Sequence, residues 1–175
     1  MHRPLVAIIG SAKTSPEVIA VAEALGAALA ARGLSILCGG RGGVMLGACR
    51  GLRQYREQHP VQGVQAVAIG LLPDVDKGLA NPFLDFALPT GLGFARNSVI
   101  ALAADALIAI EGSSGTLSEM AYAWQYGKPL CALDGCGGWA ARLAGERLDE
   151  RRADVIFRAS SVDEAAQWAL RVLAG

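Results

Sequence analysis

Short, wholly apolar runs alternate along this chain with longer stretches in which apolar residues recur every three or four positions. Runs without polar alternation mark strands buried on both faces, whereas the three-to-four spacing marks helices with one buried stripe. Leu5-Val-Ala-Ile-Ile9 predicts the first strand. Ser15-Pro16-Glu17 supplies an N-cap, a proline at the first helical position and an early acidic residue, so a helix is predicted from there to about Ala31, where Arg32-Gly33 stops it. Val18, Ile19, Val21, Ala22, Leu25, Ala28 and Leu29 form its apolar stripe. Leu34 to Cys38 predicts the second strand, Gly39-Gly-Arg-Gly-Gly43 a turn, and Val44, Met45, Leu46 and Cys49 the helix that follows. Further strands are predicted at about 64–71, 83–88, 106–110, 130–133 and 155–157. Helices are predicted at about 95–103, from just after Gly115 to about Tyr126, and at 162–173, with a helical turn at Trp139 to Leu143.

Strand and helix in strict succession predict an α/β fold, a doubly wound parallel sheet of about seven strands with helices on both faces. The 175 residues suit one domain with its own core, and no linker, repeat or low-complexity tract divides them. A hydrophobic content of 53% with 18% charged residues excludes a disordered chain, and a formal net charge of zero offers no attraction to nucleic acid or to an anionic membrane. The expected ligand is a small molecule. Apolar runs such as Val64 to Leu72 are too short or interrupted to span a bilayer, and Met1-His-Arg-Pro leads straight into a strand, so a cytoplasmic protein is expected. Cys38, Cys49, Cys131 and Cys136 form no Cys-x-x-Cys pair and read as reduced, buried residues. His2 and His59 lack metal-ligand spacing and lie far from the glycine turns, so no metal site is expected.

In a parallel sheet every strand-to-helix turn emerges at the same edge, and ligands bind where the strand order reverses. Three glycine-bearing turns are therefore predicted to converge there. The first carries Gly10, Ser11 and Lys13, the second Gly39, Gly40, Arg41, Gly42 and Gly43, and the third Gly112, Ser113, Ser114, Gly115 and Thr116. Free N–H groups and the positive end of a helix dipole make such a turn an anion site, so the ligand is expected to carry a phosphate or carboxylate. None of the turns matches Gly-x-Gly-x-x-Gly or Walker A, which argues against a dinucleotide fold or an ATPase. Lys13, Arg41 and Arg96 are the candidate cations. Arg96 opens an otherwise apolar helix, where a guanidinium can grip a phosphate at two points. Arg50, Arg53 and Arg56, spaced by three, read as a solvated helix face.

Thr116-Leu-Ser-Glu119 has two readings, since Ser/Thr-x-x-Glu is also a capping box, and Ser161-Val-Asp-Glu164 repeats it with no glycine turn in front. Glu111 is in tension with an anion site, because its charge repels a phosphate unless it points away or meets ligand hydroxyls.

On Val6-Ala-Ile-Ile-Gly-Ser11, Gly39 to Met45, Ala95-Arg-Asn97, Gly115-Thr-Leu-Ser-Glu119 and Gly127-Lys-Pro129, the chain resembles a Rossmann-like nucleotide-binding family. That family includes the cytokinin-activating phosphoribohydrolases, formerly called lysine-decarboxylase-like proteins, and the molybdenum cofactor carrier proteins. The resemblance implies hydrolysis of nucleoside 5′-monophosphates to free base and ribose 5-phosphate, with Arg96 and Glu119 catalytic, Gly112, Gly115 and Thr116 on the phosphate, and no metal or cofactor. Asn97 stands where hydrolytic members carry lysine, and Glu111-Gly112-Ser113 replaces their Pro-Gly-Gly. Those departures look closer to the carrier-like branch, so a non-catalytic carrier for molybdenum cofactor or a related phosphorylated metabolite is the alternative. The resemblance also implies a homo-oligomer, with the apolar helices around Val99 to Ala103 and Leu117 to Trp124 as a dimer interface near the site.

Overall fold

The runs without polar alternation become strands enclosed from both sides. In the computed structural model, which describes residues 3–60 and 65–174, Val6 to Ile9 and Ala106 to Ile110 are almost wholly removed from solvent. In chain order the elements are β1 (Leu5–Gly10), α1 (Pro16–Ala31), β2 (Ser35–Cys38), α2 (Gly43–Gln58), β3 (Ala68–Leu72) and β4 (Phe86–Pro89). A 3-10 turn at Gly93–Ala95 leads into α3 (Arg96–Ala103). There follow β5 (Ala106–Ile110), α4 (Ser114–Gln125), β6 (Leu130–Leu133), α5 (Gly138–Leu143), β7 (Phe157–Ala159) and α6 (Val162–Ala174).

Among the described residues the seven strands are all parallel, in the order β4-β3-β2-β1-β5-β6-β7. The chain winds outward from β1 on one side and returns through α3 to β5 on the other, so the order reverses between β1 and β5, where Val6 to Gly10 pair with Ala106 to Ile110. One core lies between the sheet and α1, α2 and α6, and a second between the sheet and α3, α4 and α5. The expected Rossmann-like, doubly wound architecture is the one formed.

The predicted third strand begins at Val64, outside the described residues, and β3 starts at Ala68. The fourth starts at Phe86, not Phe83, because Asn81 Oδ1 accepts from the Phe83 N–H and turns the chain first. The seventh is displaced to Phe157–Ala159, since Ile156 exchanges backbone bonds with Gly145 and Glu146 instead. The arginine row on α2 is not a solvated face. Arg50 pairs with Glu23 on α1, Arg53 donates to the Pro82 and Leu84 carbonyls, and Arg56 reaches the Ala66 carbonyl and the Asp85 carboxylate. These arginines tie α2 to its flanks because the chain before β4 folds over that side of the helix.

Between α1 and α2 the backbones meet at glycines. A Cβ on Gly26 would lie 1.9 Å from the Ala48 carbonyl oxygen, and one on Gly51 1.9 Å from that of Glu23. This close crossing fixes the start of α2 relative to the sheet edge.

Candidate functional site

At the reversal point the three turns are locked to one another through glycine. A Cβ on Gly10 would lie 2.5 Å from the Ile110 carbonyl oxygen and 2.7 Å from Val44, so only glycine lets β1 leave the sheet there. The Ser11 carbonyl accepts from Val44 N–H at 3.0 Å, clipping the first turn to the start of α2. Gly112, at φ 96°, brings its Cα against the Thr116 side chain and turns the chain from β5 into α4. Ser113 occupies the N-cap of α4 in extended conformation, but its hydroxyl makes no capping bond. The first N–H groups of that helix thus carry no side-chain cap.

These turns border a cavity of about 640 Å³. Gly10, Ser11, Arg41, Arg96, Asn97, Ser113, Ser114, Gly115, Thr116 and Glu119 line it, as do Met45, read in the sequence only as a helix residue closing the second glycine motif, and Pro73, Asp74 and Phe94, which the sequence patterns did not single out. Lys13 does not line it: the lining of the first turn ends at Ala12, and Lys13 is exposed. Gly39, Gly40, Gly42, Gly43 and Gly112 also lie behind the lining and shape it. The Gly39 carbonyl accepts from Arg96 Nη2 at 3.4 Å, and a Cβ there would lie 2.4 Å from the same nitrogen. Gly40 sits against Leu72, Gly42 caps α2, and Gly43, at φ 58°, passes over the Ser11 carbonyl. Arg41 is in the cavity wall, but Asp74 pairs with it and offsets its charge.

The centre of the site is a buried pair. Arg96, 9% exposed on α3, donates through Nη1 to Asn97 Oδ1 at 2.9 Å and to Glu119 Oε1 at 3.3 Å. Its Nε is buried with no protein partner. Asn97 is itself engaged, donating through Nδ2 to Ser118 Oγ at 2.8 Å and to the Gly115 carbonyl at 3.4 Å. Glu119, 6% exposed on α4, has its carboxyl pushed up to about 7 by burial, with the Arg96 charge opposing. Burial likewise lowers the Arg96 guanidinium from its ordinary value, against the pull of Glu119. Above neutrality the pair is an ion pair, and below it arginine faces a neutral acid.

The two readings of the Ser/Thr-x-x-Glu pattern are now separated. Glu119 turns inward to Arg96, so no capping box forms at Thr116. At α6 the cap does form: Ser161 Oγ accepts from the Glu164 N–H at 3.2 Å, and Glu164 Oε2 accepts from the N–H and hydroxyl of Ser160. Glu111 points away from the cavity. It holds a left-handed backbone at φ 54°, and its Oε1 accepts the Thr14 hydroxyl at 2.8 Å while Oε2 is buried without a protein partner.

Gly115 differs from the other glycines. A Cβ there would meet nothing nearer than Asn97 Nδ2 at 4.0 Å, so the fold does not require glycine and the space belongs to the cavity. All four cysteines are free, and Cys136 is half-buried instead of buried. His59 stacks on Tyr55 away from the cavity, while His2 lies outside the described residues. Among the described residues, no group of three or more His, Cys, Asp or Glu side chains is arranged to hold a metal ion, and no helix is long and apolar enough to cross a membrane.

Residues 3–166 match the profile of the SLOG cluster4 family. The crystal structure of the protein TM1055 is 34% identical and superposes with a TM-score of 0.84 over 96% of this chain and 99% of that one. The molybdenum cofactor binding protein of the phototrophic bacterium Rippkaea orientalis is 28% identical, with a TM-score of 0.83 over 99% of both chains. A cytokinin riboside 5′-monophosphate phosphoribohydrolase of Mycobacterium marinum is 27% identical over 172 residues, 90% of this chain and 88% of that protein.

Proposed function

Because the chain belongs to the SLOG cluster4 family, we propose that its cavity binds a phosphorylated, nucleotide-like small molecule and hydrolyses the N-glycosidic bond of nucleoside 5′-monophosphates to free base and ribose 5-phosphate. The observation that carries this reading is the buried Arg96–Glu119 pair in the wall of a cavity that also holds the uncapped start of α4. A carboxyl titrating near neutrality beside a guanidinium in a cleft is the arrangement expected of a working acid or base. The similarity to the Mycobacterium marinum phosphoribohydrolase supports the same chemistry.

In this scheme the N–H groups of Ser114 to Thr116 and the Arg96 guanidinium hold the 5′-phosphate. The bond from C1′ to the base nitrogen breaks with its electron pair leaving on the base, and the proton that the base takes up is balanced by the one that the water added at C1′ releases. Positive charge develops on the ribose ring, and the Glu119 carboxylate stabilises it and orients the water that adds to C1′. No metal or cofactor enters the scheme. Incubation of the purified protein with a panel of nucleoside monophosphates, followed by chromatography, is expected to release free base over many turnovers. Release of less than one equivalent per chain overturns the enzymatic reading.

The second reading is a carrier that breaks no bond, and two observations favour it. Asn97 replaces the lysine of hydrolytic relatives with a neutral amide already committed to Arg96, Ser118 and Gly115, so the site holds one positive charge fewer. The Rippkaea orientalis protein binds molybdenum cofactor. Under this reading the same preparation takes up a pterin-type molybdenum cofactor or molybdate and leaves nucleotides intact.

We also propose a homodimer in the cytoplasm. Four free cysteines suit a reducing compartment. Ile100 and Ala101 of α3 and Met120, Ala123 and Trp124 of α4 face the core, but Val99 and Leu102 of α3 and Tyr126, just beyond α4, remain exposed. Sedimentation at micromolar concentration is expected to give the mass of a dimer, and the mass of a single chain rejects it.

A further inference from the structure

Phe94 is 89% exposed and yet lines the cavity. The chain that carries it is braced. Thr90 Oγ1 donates to the Leu72 carbonyl at 2.7 Å and accepts from Leu92 N–H at 3.2 Å, and the N–H groups of Gly91 and Gly93 each donate at 2.9 Å to Asp74 and Pro73. Gly91 and Gly93 hold φ values of 66° and 55°, which a side chain at either position would strain. Two residues beyond the ring, Arg96 enters the buried pair. The fold thus fastens a phenyl ring in water at the rim of the site, with the backbone around it fixed on both sides.

The strand order sets what the ring faces. The uncapped start of α4 follows β5, whereas Met45 follows β2, and Pro73 follows β3, to which the Phe94 loop is hydrogen-bonded. Adjacent strands lie about 4.8 Å apart, so the three spacings from β5 to β3 put the anion end and the apolar end about 14 Å apart. That is close to the extended reach of a phosphate, a ribose and a fused heteroaromatic ring. Resting on the proposal that the anion end holds a phosphate, we infer that Phe94 is a specificity-determining residue that stacks on the planar ring of the ligand, with Met45 and Pro73 completing an apolar slot. The ligand class it selects is a monophosphate bearing a fused heteroaromatic ring, against sugar phosphates that share the anion but lack the ring.

The test compares two probes by calorimetry: ribose 5-phosphate, and a C-nucleoside 5′-monophosphate whose carbon–carbon link between ring and ribose cannot be hydrolysed. Phe94→Ala is expected to weaken the C-nucleoside monophosphate by roughly 5- to 150-fold, the range of base–aromatic stacking. Ribose 5-phosphate affinity and melting temperature stay at their wild-type values, and Phe94→Tyr restores the loss. Equal loss for both probes, or none for either, overturns stacking while the phosphate site stands. Equal loss together with a fall in solution mass assigns the ring to a contact between subunits and likewise overturns it. Failure of the wild type to bind either probe overturns the phosphate site and the stacking role together.

Discussion

Glu119→Gln is expected to abolish base release from nucleoside monophosphates, with kcat falling roughly 10²–10⁴-fold, the usual contribution of a positioned acid or base. Binding of the same nucleotides survives, because Gln keeps an oxygen to accept from Arg96 Nη1, and the guanidinium retains Asn97 and the Gly39 carbonyl. Single-turnover kinetics beside equilibrium binding separate the two effects. Unchanged turnover removes Glu119 from the mechanism. The pH dependence is a second signature: since the carboxylate form stabilises the ribose cation and the carboxyl titrates at about 7, wild-type kcat rises through neutrality to a plateau above it.

Stability moves the opposite way. The folded chain holds the Glu119 proton up to about pH 7, whereas an unfolded glutamate releases it near 4.5. The stabilisation is therefore complete below 4.5 and lost as pH rises through 7, on the order of 3 kcal/mol at about 1.4 kcal/mol per pH unit. Gln has no such titration, so urea unfolding of wild type and Glu119→Gln is expected to converge or cross as pH rises across that window. A difference independent of pH refutes the buried, near-neutral carboxyl.

The residues that made this site readable are those whose chemistry is local. An apolar run between glycine turns announces a buried strand whatever surrounds it, so β1, β2, β5 and β6 fall where the pattern puts them. Ser15-Pro16-Glu17 announces the start of α1 in the same way, and Ser15 caps it through Val18 N–H. Thr116-Leu-Ser-Glu119 is different, because one string of letters serves a cap and a site, and only tertiary placement decides. The inward turn of Glu119 depends on Arg96, 23 positions away and on another helix. Asp74, which offsets Arg41, and Phe94 carried no local signal either; their roles come from the loops after β3 and β4 folding back to the β1–β5 crevice. Lys13, exposed and outside the cavity lining, shows the converse, since adjacency to a glycine turn does not say on which side of the turn a side chain leaves.

Glycine inside a helix is the least legible feature, because in sequence it reads only as a weak helix former. Gly26→Ala is expected to destabilise the fold by about 3 kcal/mol or more even though alanine improves helix propensity by about 1 kcal/mol. Its Cβ would lie 1.9 Å from the Ala48 carbonyl oxygen and 2.8 Å from the carbonyl carbon. Both are backbone atoms, so no rotamer change relieves the clash and α1 must move off α2. At roughly 2–4 °C per kcal/mol for a domain of this size, the melting temperature falls by about 6–12 °C. Because the start of α2 is clipped to Ser11 at the crevice, ligand affinity falls with it. Gly115→Ala is the internal control: its added methyl meets no protein atom nearer than 4.0 Å, so the fold keeps its melting temperature while the methyl fills space beside the anion turn and weakens ligand binding. Thermal unfolding and calorimetric titration of the two variants read both quantities. A stable Gly26→Ala would mean that α1 and α2 do not cross in backbone contact, and a destabilised Gly115→Ala would mean that the fold, and not the ligand, claims the space at the head of α4.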